Sequence, residues 1–341
     1  MSNVFKKIKL DSVHKMVKQI CTHSNSFHAD EALAVYMLRL LPEYKDAMVV
    51  RSRDPVQWEE SDIVVDVSGQ YDAKKYFDHH QRGFEETFND VYKTKLSSAG
   101  LVFKHFGRDI ISNILKGNEM IKEKQLNILY EKVYKNFIEA IDANDNGINA
   151  FDAESLNVEP KFVEKGITLP GVISNMNPDW NDDCSNEKYD KNFAMASKFI
   201  GDIFVRLVKR YGESWLPAKS LVEKAVQQRF DVDPSGKIIS FDQFCPWKEH
   251  LYTVEKELKI EGSVEFVLFT DSGSTWRVST VPINSTSFNF RRGLPEPLRG
   301  LRDDELSEKS GVPGCVFIHA AGFIGGAKSK DSVLQLAKMS L

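Results

Sequence analysis

Two hydrophobic patterns alternate along the first half of the chain. Short continuous apolar runs at 19–22, 47–52 and 62–67 are rich in Ile and Val, the pattern of strands buried on both faces. Residues 75–77 give a shorter candidate strand. Between these runs the apolar residues recur at helical spacing. Over 29–41, Leu33, Met37, Leu40 and Leu41 share one face and Pro42 closes the segment; 97–106 and 119–141 read as further helices. Strand, helix, strand, strand, helix predicts a mostly parallel sheet flanked by helices. Residues 151–186 lose the periodicity and are rich in Pro, Asn, Asp and Gly, including Asn175-Met176-Asn177-Pro178-Asp179-Trp180, so they read as loop between domains. Helical spacing returns at 191–211 and 218–230. Strand-like runs follow at 238–241, 264–270, 276–282 and 315–319, with a closing helix at 331–339. The expected fold is α/β, with an N-terminal domain over 1–185 and a smaller C-terminal α/β domain over 186–341. The helices after Lys191 fit either side, which leaves the boundary open by roughly thirty residues.

Composition changes this picture little. The chain has 341 residues, enough for two domains with a substantial core. A net charge of −4 excludes a protein basic overall, while leaving room for a local basic groove. Cys21, Cys184, Cys245 and Cys315 are far apart and form no Cys-x-x-Cys pair. That argues against a zinc knuckle and a disulfide framework, and fits a reducing compartment. No apolar stretch has the length of a membrane span. Residues 1–20 carry Lys6, Lys7, Lys9, Lys15 and Lys18, with Phe5, Ile8, Val13, Val17 and Ile20 placed for one helical face. The absence of Arg and the presence of Asp11 favour a solvated N-terminal helix over a mitochondrial presequence. Localisation stays open among cytoplasm, nucleus and mitochondrion.

Candidate chemistry lies where the predicted elements end. His23, His28 and Asp30 fall within eight residues, at a strand-to-helix turn. Asp66 ends the run from Asp62. Asp78-His79-His80 follow the strand at 75–77, and Asp142 follows Phe137–Ile141, with Asp145 a close rival. Any one of these groups alone is more often a capping or solvated residue. Their joint occurrence in one α/β pattern is not easily reproduced by chance, because ligands of open parallel sheets bind outside the carboxyl ends of the strands. Imidazoles and carboxylates converging there can hold two divalent metal ions, a pairing suited to hydrolysis at phosphorus.

The stretches THSNSFHADE (22–31), DIVVD (62–66), FDHHQRG (77–83), LSSAGL (96–101), IDANDNG (141–147) and GCVFIHAAGFIGGA (314–327) carry a resemblance. The chain resembles the melanocyte-proliferating-gene exonuclease family, within the DHH phosphoesterase superfamily, over nearly its whole length from Thr22. The resemblance implies a DHH-type N-terminal domain and a DHH-associated C-terminal domain. It also implies two divalent metal ions, with Mn²⁺ favoured and Mg²⁺ or Zn²⁺ as alternatives. His23, His28 and Asp66 would hold one ion; Asp30, Asp66, His79 and Asp142 would hold the other, with Asp66 shared. Asp78 would orient an imidazole and His80 would face the substrate phosphate, so that Asp66, Asp78 and His80 form the catalytic group. Where many superfamily members have an acid in the first motif, this chain has His28, with a longer spacing.

The C-terminal region adds a second cluster. His319, Gly325, Gly326 and Lys328 lie in a Gly-rich segment that resembles the substrate-binding end of a DHH-associated domain, where backbone amides can approach an anion closely. Arg277 beside Trp276, and Arg291 and Arg292 beside Phe288 and Phe290, interleave guanidinium groups with rings that can stack bases of a single strand. The competing reading packs the rings in the core and leaves the arginines in water. The resemblance points to RNA, entered at a single-stranded 3′ end, and to 3′–5′ exonucleolytic hydrolysis in RNA processing. A phosphoesterase or pyrophosphatase acting on small molecules and a non-catalytic RNA-binding protein are the rivals. No membrane partner is expected, and the assembly state, a homodimer included, is left open.

Overall fold

In the computed structural model of the chain the described residues are 17–341, apart from Asp152, Pro160, Ser272, Ser274 and Thr286. The expected N-terminal helix falls almost wholly outside them. The chain divides into two compact units, one ending at Lys209 and the other starting at Arg210.

The first unit begins β1 (Gln19–Thr22), α1 (Ala29–Arg39), β2 (Met48–Arg51), α2 (Pro55–Glu60), β3 (Ile63–Val65) and β4 (Tyr76–Phe77). All four strands are parallel, in the order β2-β1-β3-β4. Ile20, Cys21, Ile63, Val64, Val65 and Phe77 are fully buried, as the unbroken apolar runs require. Helices α3 (Ser98–Ile114), α4 (Glu123–Val133) and α5 (Glu139–Asp145) follow, then the short α6 (Ala153–Leu156) and α7 (Leu169–Ser174), and the long α8 (Asn186–Arg210). A π-helical turn, Tyr134–Ile138, joins α4 to α5 without a break. The single helix expected over 119–141 therefore starts four residues later and runs on to Asp145.

Two expectations need correction here. The segment 151–186 holds short helices and is not the boundary. Helix α8 packs on the first unit instead: Ser197 Oγ donates to Ala32 O at 2.7 Å, and Phe204 meets Phe103 edge-on at 6.3 Å. Gly201 leaves room for the Tyr36 ring, which a Cβ would approach to 2.1 Å. These contacts join segments about 100 to 165 residues apart in sequence, which periodicity cannot reveal. The boundary thus falls after Lys209 and not after 185.

The second unit contains α9 (Leu216–Gln227), α10 (Arg229–Val232), β5 (Ile238–Ser240), α11 (Trp247–Leu258), β6 (Phe266–Thr270), β7 (Trp276–Thr280), α12 (Asp303–Ser310), β8 (Cys315–Ile318), β9 (Ile324–Ala327) and α13 (Lys330–Lys338). Its sheet has the order β5-β6-β7-β9-β8, parallel between β5 and β6 and antiparallel elsewhere. Val222, Val226, Trp247 and Leu251 cover one face beside Ile239 and Val267, while Leu306, Val333 and Leu336 cover the other beside Ile238 and Val278. Strand β9 was not expected: Ile324-Gly325-Gly326-Ala327 reads as a glycine loop, yet it lies between β7 and β8.

Candidate metal centre

Parallel strands end at a common edge, and three of them deliver candidate ligands there. His23 follows β1, Asp66 follows β3, and Asp78, His79 and His80 follow β4. From β1 the chain runs outward to β2, then returns to place β3 on the other side of β1. The crevice between β1 and β3 is therefore the switch point at which such sheets bind ligands. Asp66 adopts a left-handed backbone, φ 57°, a conformation Asp tolerates better than most residues and one concentrated at functional sites. Helix α1 brings Asp30 and Glu31 in its first turn; α5 brings Asp142 and Asp145.

The donor atoms form three overlapping groups, each within 4.8 Å: His23, His28, Glu31 and Asp66; Asp66, His79 and His80; and Asp30, His79 and Asp145. Asp66 turns one oxygen to each side. Its Oδ2 lies 3.5 Å from His23 Nε2, and its Oδ1 lies 3.7 Å from His79 Nε2 and 3.4 Å from His80 Nδ1. His23 Nε2 is 3.0 Å from Glu31 Oε1, and His79 Nε2 is 2.9 Å from Asp145 Oδ2. His28 is more peripheral, with Nδ1 4.0 Å from Glu31 Oε2 and its ring largely exposed.

Asp142 is not among these groups. Its Oδ1 accepts from Ser97 N at 3.0 Å and lies 2.8 Å from Ser97 Oγ, and its Oδ2 accepts from Tyr134 at 3.0 Å. The reading of Asp142 as a ligand is therefore corrected: one turn further along, Asp145 faces His79, and Asp142 holds the start of α3 from behind. Gly100 permits this approach, since a Cβ there would stand 2.2 Å from Asp142 Oδ1. Glu31 and Ser97 were missed in the sequence. The SSAG stretch before an apolar helix is a helix-start signal, but nothing local says which carboxylate that helix end serves.

The start of α3 serves Asp30. Ser97 Oγ donates to Asp30 Oδ1 at 2.5 Å, Ser98 N to Oδ2 at 3.1 Å and Ala99 N to Oδ1 at 2.5 Å. A helix N-terminus favours negative charge, so it steadies a carboxylate that is 1% exposed. Ser98 Oγ reaches Asp66 Oδ1 at 3.3 Å. Asp78 accepts from Gly69 N and His80 N, and its Oδ1 lies 2.8 Å from His80 Nδ1. Asp78 thus supports His80 through Nδ1, the ring nitrogen that also lies beside Asp66.

The electrostatics ask for positive charge. Burial disfavours the His23 imidazolium, yet hydrogen bonds and charge from Asp66 and Glu31 outweigh it and raise its pKa to about 10. Burial, then the neighbouring carboxylates, lifts Asp30 well above the ordinary range, and burial raises Asp66 against the pull of His23. Burial also lifts Asp142 to about 7 against the hydrogen bonds from Ser97. Asp78 is the exception: despite burial, hydrogen bonds from His80 and Gly69 bring it down to about 2. Meanwhile Glu31 Oε2 and both His79 ring nitrogens are buried without a hydrogen-bond partner, although His79 Nε2 is close to Asp145. Close but misaligned donors are what several ligands of one cation look like. Imidazole and carboxylate together suit a divalent ion such as Mn²⁺ or Zn²⁺, so the residues fit the expected metals.

The loop carrying His23 and His28 is gripped from outside. Arg51 Nη2 donates to Asn25 O at 2.6 Å and Nη1 to Asp190 at 3.1 Å, with the guanidinium 4.6 Å from the Phe193 ring centre. The Asn177 side chain accepts from Phe27 N and donates to Phe27 O, both at 2.9 Å, as a neighbouring strand would.

A family model, MYG1_exonuc, described as an uncharacterised protein family (UPF0160), matches residues 19–341, which include every residue of this centre. The chain belongs to the MYG1 family. It is 68% identical to the MYG1 protein of Saccharomyces cerevisiae over 99% of both chains. It is 44% identical to the MYG1 exonuclease of Homo sapiens, over 95% of this chain and 85% of that one. Among solved structures, RecJ of Thermus thermophilus in complex with Mn²⁺ aligns over 94% of this chain and 51% of its own length. At 14% identity and a TM-score of 0.23, that superposition carries no argument.

In this MYG1 chain the second unit divides the remaining candidates. Arg291 forms a two-pronged ion pair with buried Glu255, at 2.7 Å for each nitrogen, and Arg292 pairs with Glu265 and donates to Ser340 O. These two guanidinium groups tie elements of the unit together. Gly325 and Gly326 lie in β9, bonded to strands on both sides, so their amides are not gathered into an anion-binding loop. Gly325 packs against Ile318 and Leu294; Gly326 makes room for the Arg277 side chain. Arg277 pairs with Asp271 and lies 5.3 Å from the Phe317 ring centre on the sheet face. His319, exposed, packs against Phe323 at 4.6 Å, and Lys328 is exposed at the end of β9.

Proposed function

We propose that this protein is a metal-dependent phosphodiester hydrolase, an exonuclease of the DHH type, with RNA as substrate and hydrolysis running from the 3′ end. The observation that carries the reading is Asp66, one carboxylate facing two donor groups from the carboxyl edge of a parallel sheet. The exonuclease name of the human relative supports the reaction class. RNA and the 3′ direction rest on the motif resemblance.

On this reading His23, His28, Glu31 and Asp66 would hold one cation, and Asp30, Asp66, His79 and Asp145 would hold the second. When bound, such ions supply Lewis-acid stabilisation of a phosphoryl group under attack. The chain's own residues do the rest. Ser98 and the start of α3 fix the carboxylates, so little reorganisation is needed during reaction. Asp78 holds His80 by Nδ1, and that hydrogen bond, against partial burial, raises the His80 pKa. The imidazolium then offers its other N–H to a phosphoryl or leaving oxygen. In the second unit, Arg277, Phe317, His319 and Lys328 present guanidinium, ring and ammonium groups of the kinds that bind single-stranded nucleic acid.

The test uses RNA labelled at either end, with Mn²⁺. Release of single labelled nucleotides at once from the 3′-labelled strand, and only late from the 5′-labelled one, is the expected result. Hydrolysis of pyrophosphate but not RNA would replace this reading with that of a small-molecule phosphatase. Binding of RNA without turnover would make the protein a non-catalytic binder.

A further inference from the structure

We infer that the first unit has a separate binding cavity for a nucleoside monophosphate, between α1, the edge strand β2 and α8. The cavity has a volume of about 600 Å³, within the range of ordinary small-molecule sites. Four cationic side chains line it, Arg39, Lys45, Arg51 and Lys198, against one carboxylate, Asp190.

The partners of these cations show which of them can serve a ligand. Arg51 is tied to Asp190 and Asn25, and Lys198 to Asp202. Lys45 has only its exposed neighbour Asp46, at 3.7 Å, a pair that water and salt weaken. Arg39 makes no ion pair with a described residue. Arg39 and Lys45 are thus available to a phosphate dianion, whose geometry a guanidinium fork matches.

A second observation comes from the inner wall. The Arg51 side chain is 2% exposed, and its Nε–H is buried with no hydrogen-bond partner. An unmade hydrogen bond on a buried cation is costly, and the Arg51 guanidinium, held by Asp190 and Asn25, fixes positive charge at this wall. Between the cations, Val35, Leu40, Val49 and Phe193 supply an apolar surface. Cations at the wall and apolar area between them fit a phosphate carried on a flat, weakly polar body. That the body is a nucleoside rests on the nuclease reading, since its product would be a nucleoside monophosphate. None of the residues lining the cavity is a candidate metal ligand, although Arg51 also holds the loop that carries His23 and His28.

The test is calorimetric titration of the full chain, in EDTA, with adenosine 5′-monophosphate. One saturable site per chain is expected. It persists in Asp66→Asn, weakens at least tenfold in the double variant Arg39→Ala/Lys45→Ala, and is absent for adenosine. Both substituted cations are at the surface, so the fold is expected to survive, which an unchanged melting temperature would verify. Three results would overturn the proposal: no saturable binding, binding lost in Asp66→Asn, or binding indifferent to the double variant. Inorganic phosphate binding as tightly as the nucleotide would overturn the nucleoside assignment. Failure here with nucleotide release from RNA intact would leave the nuclease reading standing; loss of that release with this site intact would do the reverse.

Discussion

At the scale of single residues, the centre depends on which carboxylates face inward. Asp66→Asn keeps the volume but removes the charge shared by two donor groups. Loss of RNA hydrolysis by at least 10³-fold is expected, together with weaker Mn²⁺ binding by calorimetry; full activity would mean that Asp66 bridges nothing. Asp142 and Asp145 separate by their signatures. Asp145→Asn should weaken Mn²⁺ binding more than about tenfold without lowering the melting temperature of the metal-free protein, because it relieves repulsion among buried acids. Asp142→Ala leaves Ser97 N–H and the Tyr134 hydroxyl unpaired, at a cost of about 1–3 kcal/mol for each buried group. It should lower the melting temperature first. The opposite pattern would return Asp142 to the ligand set.

At the scale of elements, strands place the ligands and loops tune them. The loop from His23 to His28 has no regular structure of its own to hold it. Its order comes from Arg51 at the end of β2 and Asn177 after α7. Asn177→Ala removes both hydrogen bonds to Phe27. Faster amide exchange over residues 23–28 and Mn²⁺ binding weakened about tenfold are expected, in the range seen when groups behind metal ligands are lost. Unchanged exchange would mean that packing alone holds the loop. The Asn175–Trp180 stretch looked like linker because it is polar and Pro-containing; its role appears only when Phe27 is found against it, 150 residues away in sequence. The π-helical turn at Tyr134–Ile138 was equally hidden, because one added residue in a helix leaves no clear periodic mark. Within it Tyr134 donates to Asp142, and beyond it Asp145 faces His79.

At the scale of the whole molecule, the metal-free protein carries its acids under protest, and pH reports this. Folded-state pKa values above the unfolded ones mean that the folded state binds more protons, so stability falls as pH rises. For Asp142 the fall spans the usual carboxylate range up to about 7, and for His23 it runs from about 6.5 to about 10. Raised Asp30 and Asp66 add in the same direction. In EDTA the melting temperature should therefore drop between about pH 5 and pH 10, to the extent that these groups govern it. Added Mn²⁺ should restore it, by about 2.7 kcal/mol at one hundred times its Kd. A melting temperature in EDTA that is level or rising over this range would show that these groups do not titrate as a cluster.

The strands β1 to β4, their mostly parallel direction and the positions of His23, Asp66 and Asp78–His80 could be read from the chain, because unbroken Val and Ile runs make buried strands and polar residues ending parallel strands emerge at one edge. What the sequence could not decide were contacts set by packing between distant segments. Asp145 over Asp142 depended on Ser97 and Tyr134 engaging the Asp142 oxygens, and Glu31 on which side of the first turn of α1 faces His23. Gly325 and Gly326 became a strand because β7 and β8 bond to both of its edges, and α8 joined the first unit because Tyr36 and Gly201 fit. Local pattern records what a residue can do; only its neighbours in space determine which of its oxygens, amides or faces remain free to do it.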